Sequence, residues 1–223
     1  MIRKIFLKLA NFRGDDSIAM RLRLKTIAIF EELIRPLPKP LRIIDVGGTE
    51  MFWERMGFSG DEDMDITLLN LSEEKTNYSN IKSIAGDARN MPQFRDGEFD
   101  IAFSHSVIEH VGEYHDQKQM ANELQRVSKR YFLQTPNFYF PFEPHFLFPF
   151  FQFFPLWLKL FMLRHFNLGW YNKITDKEEA IKTINSIRLL KKWELKKLFP
   201  RATMHELKFW GLTISFILYE GLQ

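Results

Sequence analysis

Three groupings of side chains in this sequence are able to do chemistry. The first is Asp45-Val46-Gly47-Gly48, a carboxylate at the end of an apolar run with two glycines directly after it. Glycine lets a backbone turn sharply and approach a ligand with no Cβ in the way. A carboxylate beside such a turn can hold a cationic group or hydrogen-bond the turn's own N–H groups, and the two roles can coexist. The second grouping is Gly86-Asp87-Ala88, where Asp87 either caps a turn or accepts from a ligand, and Ala88 offers a backbone N–H. The third is a set of imidazoles and acids: His105, Glu109, His110, Glu143 and His145. Histidine titrates near neutral pH, which suits a general base. Glu109, His110 and His145 also offer the mixed oxygen and imidazole ligands that divalent metals take. The chain has no cysteine, which excludes disulfides, thiolate metal sites and cysteine nucleophiles.

The elements that must position these groups follow from the apolar pattern. Leu41–Gly48 reads as a buried strand turning into a short helix over Met51–Met56. Ile66–Asn70, Ile81–Ala85, Phe99–Ser104 and Tyr131–Thr135 read as further strands, with a helix over His115–Lys129. Strands alternating with helices predict a mainly parallel sheet. A last helix, Lys192–Phe199, leads to Ala202–Trp210 and Thr213–Tyr219, so closely linked through Gly211 and Leu212 that they must form an antiparallel hairpin. The expected fold is therefore α/β: seven strands, mostly parallel, with an antiparallel terminal pair and helices on both faces. Ahead of it, Asp15, Asp16 and Ser17 offer an N-cap for a helix over Ile18–Ile34, which Pro36, Pro38 and Pro40 end. Residues 1–40 thus read as an N-terminal helical segment and 41–223 as the main domain.

At 223 residues, 45% hydrophobic and 26% charged, the chain has room for one such domain plus an insertion. A net charge of +3 is too weak to imply a nucleic-acid partner. Met1–Phe12 is basic and apolar, yet too short for a signal-peptide core. Such a segment can touch an anionic membrane, although it more often packs on its own domain. The insertion is residues 136–187. Residues 138–166 alone hold 11 of the 23 phenylalanines, and Phe146–Leu158 is too short and too broken by Pro149 and Pro155 to span a bilayer. It reads either as a lid or wall over an apolar acceptor, dipping into a membrane surface, or as a satellite core or oligomer contact.

The order and spacing of these motifs resemble the class I S-adenosylmethionine-dependent methyltransferases, a Rossmann-like fold. Ile43-Ile-Asp-Val-Gly-Gly48 resembles that family's first motif, Ile66–Ser72 its second strand and ribose site, Gly86–Pro92 its adenine-binding turn, and Ser106–Val111 the segment after the fourth strand. The resemblance implies S-adenosylmethionine as cofactor, with Asp45, Gly47 and Gly48 at its amino-acid tail, Asn70 and Leu71 at the ribose, Asp87 and Ala88 at the adenine, and Ser104 near the methyl group. The expected activity is methyl transfer to a hydroxyl, which needs a base; the candidates are His105, ranked first because it directly follows the fourth strand, and Glu109, His110 and His145. Glu109-His110 resembles the metal-binding Glu-His pair of ubiquinone O-methyltransferases and small-RNA 3′-end methyltransferases, though Ser106 stands where their second Glu would be. A divalent metal on Glu109, His110 and His145 is thus the minority expectation. Thr49, Glu50 and Met51 replace the usual further glycines, and Asn70 the usual acid. The chain looks most like bacterial methyltransferases of glycan or secondary-metabolite pathways. The expected partner is a small-molecule, sugar or lipid-linked acceptor, in the cytoplasm with a peripheral membrane contact. The rival expectation is a degenerate fold acting as a partner subunit. The acid before the glycines and the terminal hairpin argue against a nicotinamide dehydrogenase.

Overall fold

The computed structural model describes residues 17–222. Met1–Phe12 and the membrane contact expected of it lie outside the described residues. Helix α1 spans Ile18–Ile34, and the Ser17 hydroxyl caps it by accepting from the Met20 N–H at 3.0 Å. Its buried residues Met20, Ile27, Phe30 and Ile34 recur at helical spacing, so one stripe packs on the sheet.

The sheet is built from β1 (Leu41–Val46), β2 (Met64–Asn70), β3 (Ile81–Ala85), β4 (Ile101–His105), β5 (Tyr131–Pro136) and, far along the chain, β8 (Thr203–Phe209) and β9 (Leu212–Glu220). Their spatial order is β3-β2-β1-β4-β5-β9-β8. β1 to β5 pair in parallel, while β9 runs antiparallel to both β5 and β8. This is the expected architecture. Trp210 and Gly211 make the final turn with φ of 51° and 81°, the pair of positive values that a tight hairpin needs. Several boundaries differ by one or two residues, as where β2 begins at Met64 and β9 at Leu212, and one difference bears on the site. β4 begins at Ile101, with Phe99 bridging Ser128 ahead of it, and His105 pairs with Gln134 of β5, so it is the last residue of the strand rather than the residue after it.

Each face of the sheet carries its own core. On one side Phe30, Trp53, Phe103 and Phe132 are fully buried, with the Phe103 and Phe132 rings stacked at 5.5 Å under α1 and α2 (Glu50–Arg55). On the other, Ile44, Val46 and Leu133 meet Met120 and Leu124 of α3 (Tyr114–Val127) and Leu195. Burial of both faces explains why the central strands read as continuous apolar runs.

After β5 the chain leaves the sheet. It forms the two-residue strands β6 (Phe142–Glu143) and β7 (Phe148–Pro149), then α4 (Leu156–His165) and α5 (Lys177–Asn185), and returns through α6 (Lys192–Leu198). The insertion has a satellite core of its own, with Phe146, Phe151, Leu163, Leu168, Ala180 and Ile184 packed together. Neither α4 nor α5 was read from the sequence: α4 shows no helical stripe, whereas α5 carries signals that were missed, an Asp176 N-cap, an acidic first turn and the buried pair Ala180 and Ile184. Among the described residues no helix is long and apolar enough to cross a membrane.

Candidate functional site

In this strand order the chain reverses direction of winding between β1 and β4, and the crevice outside their carboxyl ends is where open α/β sheets take ligands. A cavity of about 300 Å³ opens there. It is lined by Asp45, Gly47 and Gly48 from the end of β1, by Phe52 and Arg55 of α2, by Arg23 of α1 and by His105 of β4. A second, more open depression, lined by Glu73, Glu74, Lys75 and Lys82, sits at the outer sheet edge and brings no such convergence of groups.

Asp45 is 1% exposed. Its Oδ2 accepts from the Trp53 indole N–H at 2.7 Å, while Oδ1 has no protein partner. Burial pushes the carboxyl up to about 7, against the lowering effect of the Trp53 bond. A buried carboxylate with an unpaired oxygen, on a residue that lines a cavity, fits a cationic ligand group such as an ammonium. Arg23 and Arg55 bring positive charge to the same cavity, and burial together with the nearby Arg55 lowers the Arg23 pKa. One acid and two guanidiniums converging on one cavity suit a zwitterion, which is what the tail of S-adenosylmethionine is.

Protein packing demands the two glycines as much as any ligand does. A Cβ on Gly48 would lie 1.6 Å from Asp45 Oδ2, and one on Gly47, whose φ is +81°, would lie 2.5 Å from a Val107 methyl. Gly47 therefore lets the turn after β4 close over the turn after β1. The Asn70 amide donates to the Gly48 carbonyl at 2.9 Å and so props the glycine turn from β2.

The other expected cofactor residues sit along the same carboxyl edge. Leu71 is 84% exposed. Asp87 makes a close ion pair with Arg89, and this hydrogen bond holds its carboxyl below the usual range. Ala88 is partly buried against the core. Ser104 is 1% exposed, and its hydroxyl donates to the Val46 carbonyl at 3.2 Å, a bond that joins β4 to β1.

The histidines divide into two environments. His105 lines the cavity with its ring 5.5 Å from that of Phe52. Burial and then the Arg23 charge push it down to about 3, so at neutral pH it is an uncharged and feeble base. His110 and His145 meet edge to face at 4.8 Å, in a polar cluster held between the turn after β4 and the insertion. There His145 Nδ1 lies 2.7 Å from Glu143 Oε1, and Glu143 Oε2 accepts from the backbone N–H groups of His145 and Phe146. Burial lowers the His145 pKa, but the Glu143 bond and the Glu143 and Glu109 charges outweigh it, and the net shift is upward. Partial burial, then His145, pushes His110 down to about 4, although part of the residue reaches solvent. Glu109 is fully buried and its carboxyl is raised by that burial. Thr135 donates to its Oε2 at 2.9 Å, and Oε1 has no partner. Ligand atoms of Glu109, His110 and His145 all lie within 4.8 Å of one another. Opposite ligands of a divalent metal sit about 4.2 Å apart, given bonds near 2.1 Å, so the trio would have to close slightly to hold an ion.

Sequence reasoning missed Arg23, Arg55, Trp53 and Thr135. Arg23 and Trp53 lie on helices whose local pattern reports only an apolar stripe, and nothing in it says which residue beside the stripe tips into the cavity.

A sequence family described as a methyltransferase domain matches residues 53–131. No curated protein matches the chain in sequence. Among solved structures, a SAM-dependent methyltransferase from Aquifex aeolicus is similar with a TM-score of 0.52 at 15% identity, over 89% of this chain and 90% of that one. A Pyrococcus horikoshii OT3 protein gives 0.50 at 20% identity, over 92% and 91%. The CurJ carbon methyltransferase gives 0.58 at 11% identity, over 94% of this chain and 56% of that one. At these identities the structures speak to the fold alone. The stretch 53–131 is thus similar to a methyltransferase domain, and the fold as a whole is one shared with SAM-dependent methyltransferases.

Proposed function

We propose that this protein methylates a hydroxyl group of an apolar small-molecule or lipid-linked acceptor. The observation that carries the cofactor half of this reading is Asp45, a buried carboxylate with one unpaired oxygen on a cavity that Arg23 and Arg55 also line. Asp45 would take the cofactor's ammonium, the two arginines its carboxylate, and the Gly47-Gly48 turn would run past the chain between them. When bound, S-adenosylmethionine supplies a methyl group on a sulfonium, ready for in-line displacement. The protein's share is to orient the acceptor, and orientation can supply about 7–11 kcal/mol of a barrier.

His145 is the better base. Its Nδ1 is tied to Glu143, which fixes the tautomer with Nδ1 protonated and leaves Nε2 free to accept the hydroxyl proton. Glu143 is itself held by two backbone N–H groups, so the pair is preorganised. The buried Glu109 carboxyl adds negative charge that favours the imidazolium formed when the proton arrives. His105, being so weakly basic, serves as cavity wall. A second reading rests on the unpaired Glu109 Oε1: Glu109, His110 and His145 would hold a divalent cation, whose Lewis acidity would be available to activate the acceptor hydroxyl, with Glu143 orienting His145 from behind.

Calorimetric titration with S-adenosylmethionine tests the cofactor half, and absence of binding would favour a degenerate fold serving as a partner subunit. A screen of hydroxylated phenols, sugars and polyprenyl-type acceptors tests the other half. Turnover that survives a chelator keeps His145 as base, whereas turnover that stops and returns with magnesium or manganese moves it to metal ligand.

A further inference from the structure

The outer face of the insertion is unlike the rest of the surface. Eight of the fourteen exposed large hydrophobics among the described residues fall within residues 139–170, and Trp157 is 69% exposed. Leu156, Trp157 and Phe161 of α4 are exposed, with the Phe166 ring 6.2 Å from that of Phe161, and the neighbouring pair Phe150 and Phe153 is exposed too, while Leu163 is the helix's only buried residue. The satellite core beneath is complete without these side chains. Monomers rarely gather this many exposed large apolar side chains on one short segment.

Charge decides what covers it. Between Glu143 and Asp176 there is no acidic residue, but there are Lys159, Arg164 and Lys173. Arg164 is exposed on the last turn of α4, and Lys191 lies 5.2 Å over the Phe138 ring at the near edge of the patch. The packed helix α5 does carry Asp176, Glu178 and Glu179, with Lys177 and Lys182 among them, and Asp176 is engaged in capping that helix. Within residues 144–175 the only acid or base charges are the cations Lys159, Arg164 and Lys173, so a second copy of this chain would set like charges against each other there, which an isologous contact disfavours. Exposed Trp and Phe flanked by Lys and Arg suit the headgroup boundary of an anionic bilayer, where the rings bury and the cations meet phosphates. Helix α4 has ten residues, about half of what spans a bilayer, so it would lie in the surface.

We propose that the insertion face formed by Phe150, Phe153, Trp157, Phe161 and Phe166 docks this protein on an anionic lipid bilayer. The proposal stands apart from the methyl-transfer reading, since lipid binding needs no turnover. It is tested by sedimenting the full chain with vesicles of mixed phosphatidylglycerol and phosphatidylcholine, and separately with pure phosphatidylcholine. The parent should partition strongly onto the mixed vesicles and weakly onto the neutral ones. Arg164→Glu changes two charges and should cut partitioning onto mixed vesicles about 30-fold, with little effect on neutral ones. The double change Trp157→Glu with Phe161→Glu should abolish binding to both. These side chains are exposed, so circular dichroism and melting temperature should match the parent and separate a lost surface from a lost fold. A parent that stays in the supernatant overturns the proposal. So does a double variant that sediments like the parent, because another segment would then be the anchor. Light scattering that finds a parent dimer and a monomeric double variant assigns the face to a second copy instead.

Discussion

Replacing Asp45 with Asn should stabilise the cofactor-free protein and weaken its hold on the cofactor. The carboxyl titrates at about 7 when folded, against an ordinary 3.8. Its folded pKa is raised, so between those values the unfolded chain gives up its proton first and stability falls as pH rises. The penalty is absent below the lower value and complete above the upper one. Three pKa units correspond to about 4 kcal/mol at pH 8, falling to about 2 kcal/mol at pH 5. Asn keeps an acceptor for the Trp53 indole, but its amide hydrogens replace the unpaired Oδ1 and cost about 1 kcal/mol if unmet. Asp45→Asn should therefore gain about 3 kcal/mol near pH 8 and about 1 kcal/mol near pH 5. Urea unfolding followed by tryptophan fluorescence, without cofactor, reads both numbers. The parent's affinity for S-adenosylmethionine should in turn rise about tenfold between pH 6 and pH 8 as Asp45 ionises, while the variant binds weakly at every pH. A variant less stable than the parent at pH 8, or a gain that does not change with pH, would refute the burial argument.

Other substitutions probe the neighbouring contacts. Asn70→Asp should weaken the glycine turn by roughly 1–3 kcal/mol and lower cofactor affinity, because it loses the donor to the Gly48 carbonyl and sets two acceptors face to face; thermal melts and calorimetry report both effects. This reverses what an acid at a ribose site alone would suggest. Gly47→Val should destabilise the fold itself by several kcal/mol, as an L side chain there meets both a positive φ and Val107, and Val107→Ala should restore part of the loss. His145→Ala should leave cofactor affinity nearly unchanged and lower turnover by ~10²–10⁴-fold on a confirmed acceptor. Because the folded His145 pKa lies above 6.5 and a base must be neutral, turnover should climb with pH through a midpoint above that value, and a profile flat from neutral pH upward would remove His145 from the role.

The fold was legible because the central strands are mostly apolar and the breaks after β1, β3 and β5 are marked by Gly or Pro. Helix α1 matches its expected bounds because the Ser17 cap and the prolines after it are local signals. The edge on which Asp45, Asn70, Asp87 and His105 sit follows from the parallel order, since every β1–β5 strand ends on the same side. What those side chains do there was not legible. The sequence shows Asn70 as a substitute for an acid, and only packing shows it propping the Gly48 carbonyl. It shows Ser104 at a strand end, and only the β1–β4 pairing gives its hydroxyl to Val46. It ranks His105 first by position, whereas basicity depends on desolvation and on Arg23 from another helix. Hydrophobic pattern and turn chemistry act over a few residues, so they can be read along the chain. Burial of a charge, and the partner that offsets it, arise from contacts between residues far apart in sequence, and Glu109 meeting His145 is decided only when the insertion folds back over β4 and β5.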